Sequence, residues 1–207
     1  MLLILTGALA KLSRSRVAQL IAGTYTTLIR GVPDLVLMLL IFYGGTIGLN
    51  ALMEALGSEQ TIDIEPFAAG VITIGFIYGA YMTETFRGAI LAVPKGQMEA
   101  AWAFGMGPLR TFWRITLPQM IRYALPGFTN NWLVLMKATA LVSLLGLQDM
   151  TYLAKQAGAA ARGEIANAPL LFFAFTALIY LVFTSVSLVL LRMLERRYSV
   201  GVKRGNL

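Results

Sequence analysis

Apolar residues fall into four long, nearly unbroken runs, at about residues 35–53, 66–83, 125–147 and 165–191. A helix rises about 1.5 Å per residue, so roughly 20 apolar residues cross a hydrocarbon core about 30 Å thick. Each run is close to that length or longer. Inside hydrocarbon the backbone must satisfy its own N–H and C=O groups, which predicts four spanning helices and an all-α integral membrane protein. No stretch alternates polar and apolar residues as a barrel strand does. A fifth apolar stretch, Met1–Ala10, has only ten residues and is too short to cross. Lys11, Arg14 and Arg16 follow it, whereas the charge of a secretory signal leads its apolar segment. It reads as the inner end of a span whose beginning lies outside the chain. There is no internal repeat, linker or low-complexity tract, so residues 1–207 read as one transmembrane domain.

Composition agrees: 57% of residues are hydrophobic and 13% charged, too little charge to cover a water-facing surface of this size. The net charge of +7 admits nucleic acid as a partner until its placement is considered. Fourteen of the 17 basic residues lie in three segments that four alternating spans put on one side. They are Lys11, Arg14, Arg16 and Arg30; Arg87, Lys95, Arg110, Arg114 and Arg122; and Arg192, Arg196, Arg197, Lys203 and Arg204. The other side has the acidic loop with Glu54, Glu59, Asp63 and Glu65, and the stretch from Gln148 to Glu164 with only Lys155 and Arg162. Positive segments stay in the cytoplasm, so topology accounts for the charge and no nucleic-acid partner is implied. Cysteine and histidine are absent, which excludes disulfides, thiolate chemistry, Cys/His metal sites and histidine acid–base catalysis. No Gly-Lys pair occurs, so the usual phosphate loop is missing and any ATP must be hydrolysed by a partner.

The cytoplasmic segment from about 87 to 122 is longer than a helical hairpin needs. Lys95–Phe104 is rich in helix formers, with Gly105 as a stop; Met98 and Trp102 share a face. After the Met106-Gly107 break, Pro108 suits the first turn of a second short helix, with Leu109, Phe112 and Trp113 apolar and Arg110 and Arg114 polar. A short amphipathic element of this kind fits docking on another protein or anchoring on headgroups equally well.

Glu99-Ala100-Ala101, three residues, Gly105, nine residues, then Ile115-Thr116-Leu117-Pro118 resembles the EAA loop of ATP-driven (ABC) importer permeases. The order Ala80-Tyr81, Glu84, Arg87-Gly88, Lys95-Gly96-Gln97, Glu99-Ala100-Ala101, Leu117-Pro118-Gln119 and Ala124-Leu125-Pro126 is similar to the polar amino acid branch. Residues 25–38, 130–132, 139–146 and 195–204 are most similar to Q-type subunits of histidine/lysine/arginine/ornithine importers, with opine permeases almost as similar. Asp34, Leu37, Ala138 and Ala140 stand where much of the branch has Leu, Gln, Asp and Ser, which favours the basic amino acid subgroup. The resemblance implies a type I ABC importer permease fold, a five-helix core here lacking most of the first span. It also implies an M-type permease partner, a cytoplasmic ATPase dimer that uses ATP and Mg²⁺, and a periplasmic substrate-binding protein. The chain itself would hold no cofactor or metal and carry no catalytic residue. It would lie in a bacterial inner membrane with its C-terminus cytoplasmic. Glu99, Ala100, Ala101, Gly105, Leu117 and Pro118 would couple it to the ATPase.

Glu99 has a second reading, as a carboxylate favouring its own helix N-terminus. Ionisable and polar residues within spans are path candidates. Lys137, with Asn131 before it and Thr139 after it, can line the path, meet a substrate carboxylate, or pair with an acid of a partner. Asp34 and Glu84 are the acids available for a basic side chain, although Glu84 also pairs naturally with Arg87 and Asp34 also suits a helix start after Pro33. Gly44, Gly45, Gly70, Gly75 and Gly79 would allow close helix approach. Competing functions are a permease for opines or for glutamine and glutamate, and a secondary transporter not driven by ATP. The last would call for inverted repeats and an ion relay, neither of which is legible.

Overall fold

The computed structural model describes residues 2–58, 60–61 and 64–198. Glu59, Asp63, Lys203 and Arg204, counted above for charge, lie outside the described residues, as does the end of the 195–204 motif. Among the described residues every regular element is helical. The order is α1 (Leu2–Leu12), α2 (Arg16–Gly31), α3 (Asp34–Ala55), α4 (Pro66–Ala92), α5 (Lys95–Ala103) and α6 (Pro108–Thr111). A π-helical segment (Phe112–Thr116) leads into α7 (Leu117–Ala138), which tightens to 3-10 over Thr139–Leu145. Then come α8 (Met150–Ala160), a 3-10 turn (Ala161–Gly163) and α9 (Ala168–Tyr198).

Local chemistry sets the ends. The Glu65 carboxylate accepts from the N–H groups of Phe67 (3.0 Å) and Ala68 (2.7 Å), two of the orphan donors at the start of α4. Asp149 caps α8 by accepting from the Tyr152 N–H at 2.9 Å. α3 closes at Leu56, with Gly57 in the left-handed region at φ 79°.

Four helical stretches are long and apolar enough to cross a membrane: Asp34–Ala55, Pro66–Ala92, Pro108–Leu145 and Ala168–Tyr198. Each overlaps one apolar run, but the ends differ, most of all for the third, which starts 17 residues before the expected 125. α4 runs on to Ala92, through Glu84 and Arg87, because these charges pair with each other and do not interrupt the helix. The expected second short helix at Pro108 is the first turn of a rod that continues through α7. α2 and α8 were not anticipated, since one is amphipathic and the other lies between two long apolar runs.

Two compact units are distinguished, each counted on its described residues: Met1–Thr27, Gly79–Leu133 and Ser187–Leu207 in the first, and Leu28–Tyr78 and Val134–Val186 in the second. The first has a core of Ala89, Val93, Met120 and Ala124, against which Leu5, Phe86, Ile90, Leu117 and Tyr123 pack. In the second, Gly158 sits so close to Pro169 that a Cβ there would stand 2.7 Å from the Pro169 Cα. Of the glycines expected to mediate close approach, Gly70 does so: a Cβ would lie 3.2 Å from Val142 Cγ1. Gly44, Gly45 and Gly75 have open space. Leu170, Leu178, Leu181 and Phe175 on α9 are exposed, a contiguous apolar surface that suits lipid or a partner better than water.

Candidate coupling site and intramembrane polar contacts

α5 starts at Lys95 directly after Pro94, whose φ of −58° leads the chain into a helix. Its end is a Schellman motif. Phe104 is the cap, Gly105 has φ 75°, the Gly105 N–H donates to the Trp102 carbonyl (2.9 Å) and the Met106 N–H to the Ala101 carbonyl (3.0 Å). A side chain at Gly105 would meet nothing within 4 Å, so only backbone conformation demands glycine there. Glu99 is the fifth residue of α5, exposed and without a hydrogen bond or ion pair among the described residues. The reading in which it serves its own helix N-terminus is therefore corrected: the helix starts four residues earlier, and dipole effects fade beyond the first turn.

The element is rooted on one face and bare on the other. Val93, Ala101, Thr111 and Thr116 are buried, while Ala100, Trp102, Leu109 and Trp113 are exposed and Phe104 is 89% exposed. Gly107 caps α6, and Pro108 occupies its first turn, where a missing N–H costs nothing. Five residues later the helix widens. The Leu117 N–H donates to the Phe112 carbonyl, an i→i−5 bond, immediately before Pro118. Pro118 has no N–H to give the Arg114 carbonyl, so the π turn is the backbone's accommodation of proline within a continuous rod. The Gln119 side-chain amide donates to the Ile115 carbonyl at 3.2 Å on the same stretch.

The polar residues of the spans are mostly engaged. Glu84 accepts from Lys11 and, at 2.9 Å, from Arg87 Nε; Lys11 also donates to Thr26 Oγ1 at 2.7 Å. This ties α1, α2 and α4 together and leaves Glu84 flanked by two cations. The Asn131 amide donates to Thr85 Oγ1 at 2.8 Å. Thr129 donates to the Glu195 carboxylate at 2.6 Å, joining α7 to α9. In the other unit, the Tyr78 hydroxyl donates to Asp34 Oδ2 at 3.2 Å, and Asp34 stands in the first turn of α3. Thr139 bonds locally to the Met136 carbonyl at 2.8 Å. Lys137 is exposed near the end of α7, just before the 3-10 segment, and its side chain has no hydrogen bond or ion pair among the described residues.

Residues 3–200 match the family of the binding-protein-dependent transport system inner membrane component. The chain belongs to the ABC importer permeases. The HisQ permease of the histidine/lysine/arginine/ornithine transport system of Salmonella typhimurium is 61% identical over 203 residues, 98% of this chain and 86% of that one. The octopine permease OccQ of Rhizobium radiobacter is 39% identical over 199 residues, covering 96% and 82%. A crystal structure of an amino acid ABC transporter with histidines superimposes with a TM-score of 0.74 at 33% identity, covering 95% of this chain and 84% of that one.

The permease is thus a multi-pass inner-membrane subunit of type I fold that performs no catalysis of its own, in a family that works with an ATPase and a binding protein. Sequence reasoning found its EAA helix and the Glu84–Arg87 pair but missed Lys11–Glu84 and Thr129–Glu195. Those partners lie 73 and 66 residues apart, and no spacing rule links them.

Proposed function

We propose that this permease imports basic amino acids (histidine, lysine, arginine and ornithine) and that α5 is its coupling helix. The 61% identity to HisQ across 98% of the chain carries this reading. Glu99, Ala100, Ala101 and Gly105 form the seat for a cytoplasmic ATPase dimer, and Leu117 and Pro118 pass its motion into α7. The partner ATPase uses ATP and Mg²⁺; this chain holds neither. An M-type permease completes the pore as a heterodimer, and a periplasmic binding protein delivers the substrate. Residues 1–207 act as one domain with the C-terminus in the cytoplasm, which the positive-inside rule supports.

Along the path, Asp34, Glu84, Asn131, Lys137 and Thr139 are the candidates. Lys137 has the sign to meet a substrate carboxylate and cannot select a basic side chain. Glu84 already faces Lys11 and Arg87, so its role is to hold helices in place more than to bind a third cation. Vesicles containing this chain, its M-type partner, the ATPase and the binding protein should accumulate labelled arginine, lysine and histidine only when ATP is supplied. Accumulation of octopine in preference to these would move the substrate to the opines. Accumulation without ATP would contradict the coupling.

A further inference from the structure

α2 divides into three faces. Ala22 and Thr26 are buried within the first unit, and Thr26 accepts from Lys11, whose ammonium also meets Glu84 on α4. Val17, Leu20 and Ile21 make a second face and are 66%, 70% and 67% exposed. Arg16 and Gln19, also exposed, make a third; Gln19 points about 160° away from Ile21 on the helical wheel. A helix in water has no use for the apolar stripe, and one sunk in hydrocarbon could not carry the third face. The combination, on a helix of low overall hydrophobicity, suits the boundary between acyl chains and water.

Its position agrees. Lys11, Arg14 and Arg16 stand at or before its start and Arg30 near its end. The positive-inside rule keeps both ends in the cytoplasm, so the 16 residues run along the membrane and not through it. Arg14 and Arg16 are exposed and make no hydrogen bond or ion pair among the described residues. Nor do they serve the helix, since cations at an N-terminus oppose its dipole. No acid precedes Asp34 in the sequence, and Glu84 is already shared between Lys11 and Arg87. An anionic leaflet meets both needs at once, with acyl chains for the stripe and phosphates for the arginines.

We propose that α2 lies in the surface of the inner leaflet, with Val17, Leu20 and Ile21 among acyl chains and Arg14 and Arg16 on anionic phospholipid headgroups. The inference rests on the topology proposed above and adds a lipid contact to it.

The chain has no cysteine, so Ile21→Cys and Gln19→Cys each take one nitrobenzoxadiazole fluorophore before assembly into the complete transporter. The vesicles contain phosphatidylglycerol. A lipid spin-labelled high on its acyl chain should quench the Ile21 probe about twofold more than one labelled near the chain end, since such a helix sinks only about 5–10 Å. The Gln19 probe should be quenched little by either lipid, and by iodide added on the ATPase side. Replacing phosphatidylglycerol with phosphatidylcholine should weaken lipid quenching at Ile21, and Arg14→Gln with Arg16→Gln should abolish that dependence. No lipid quenching at Ile21 would put protein or water over the stripe and overturn the contact. Equal quenching at both positions, or stronger quenching by the deep label, overturns the interfacial placement. A lipid dependence that survives loss of both arginines overturns the headgroup contact. Iodide that reaches Gln19 only from the side opposite the ATPase overturns the topology, and the inner-leaflet placement with it.

Discussion

Gly105 shows how much a single position decides. Its φ of 75° closes α5 with two backbone bonds, and no neighbouring atom crowds the site. An L-residue there costs about 1–2 kcal/mol of backbone strain, enough to fray one helix end and far too local to stop insertion. Gly105→Asp should therefore reach the membrane at normal levels, hydrolyse ATP in the assembled complex, and lose most uptake. Normal uptake by that variant, measured beside its ATPase rate, would remove Gly105 from the coupling machinery. At this scale the sequence was informative wherever the cause is local: glycine after a helix, proline at a first turn, a carboxylate three residues before an arginine. It was silent on Lys11–Glu84, Asn131–Thr85 and Thr129–Glu195, because contacts between helices depend on packing that no single window contains.

Among the elements, the rod from Pro108 to Leu145 departs most from expectation. Charged and polar residues at its start suggested a separate cytoplasmic helix. The chain instead stays helical by widening once, at Phe112–Thr116, to accommodate Pro118. A π turn holds one extra residue, and removing it rotates everything upstream by about 100° relative to α7. Pro118→Ala supplies the missing N–H and allows a regular α turn. Helix content and melting temperature should match or exceed wild type, since alanine is the better helix former by about 3 kcal/mol in a helix interior. Uptake should fall nonetheless, because α5 would be presented at the wrong angle. Wild-type uptake by Pro118→Ala would show that the π turn has no part in coupling. α4 shows why helix ends are harder to read than helix centres: Glu84 and Arg87 look like a boundary in the sequence, yet they pair with each other and the helix continues to Ala92.

For the whole molecule, the four spanning helices leave large apolar side chains uncovered, as an inner-membrane subunit with lipid and partner subunits around it requires. The bare face of α5 is different in kind: Trp102 and Phe104 are exposed beside Glu99 on an element whose opposite face is rooted in a core. Headgroup anchoring and docking make different demands on that face, and the absence of cysteine from the chain gives a clean way to separate them. Glu99→Cys, labelled with a photoreactive maleimide and illuminated in the complete transporter, should yield one dominant adduct joining this chain to the ATPase. Its yield should change when ATP is added. Adducts with lipid alone, in vesicles that still take up amino acid, would contradict the assignment of α5 as the coupling helix.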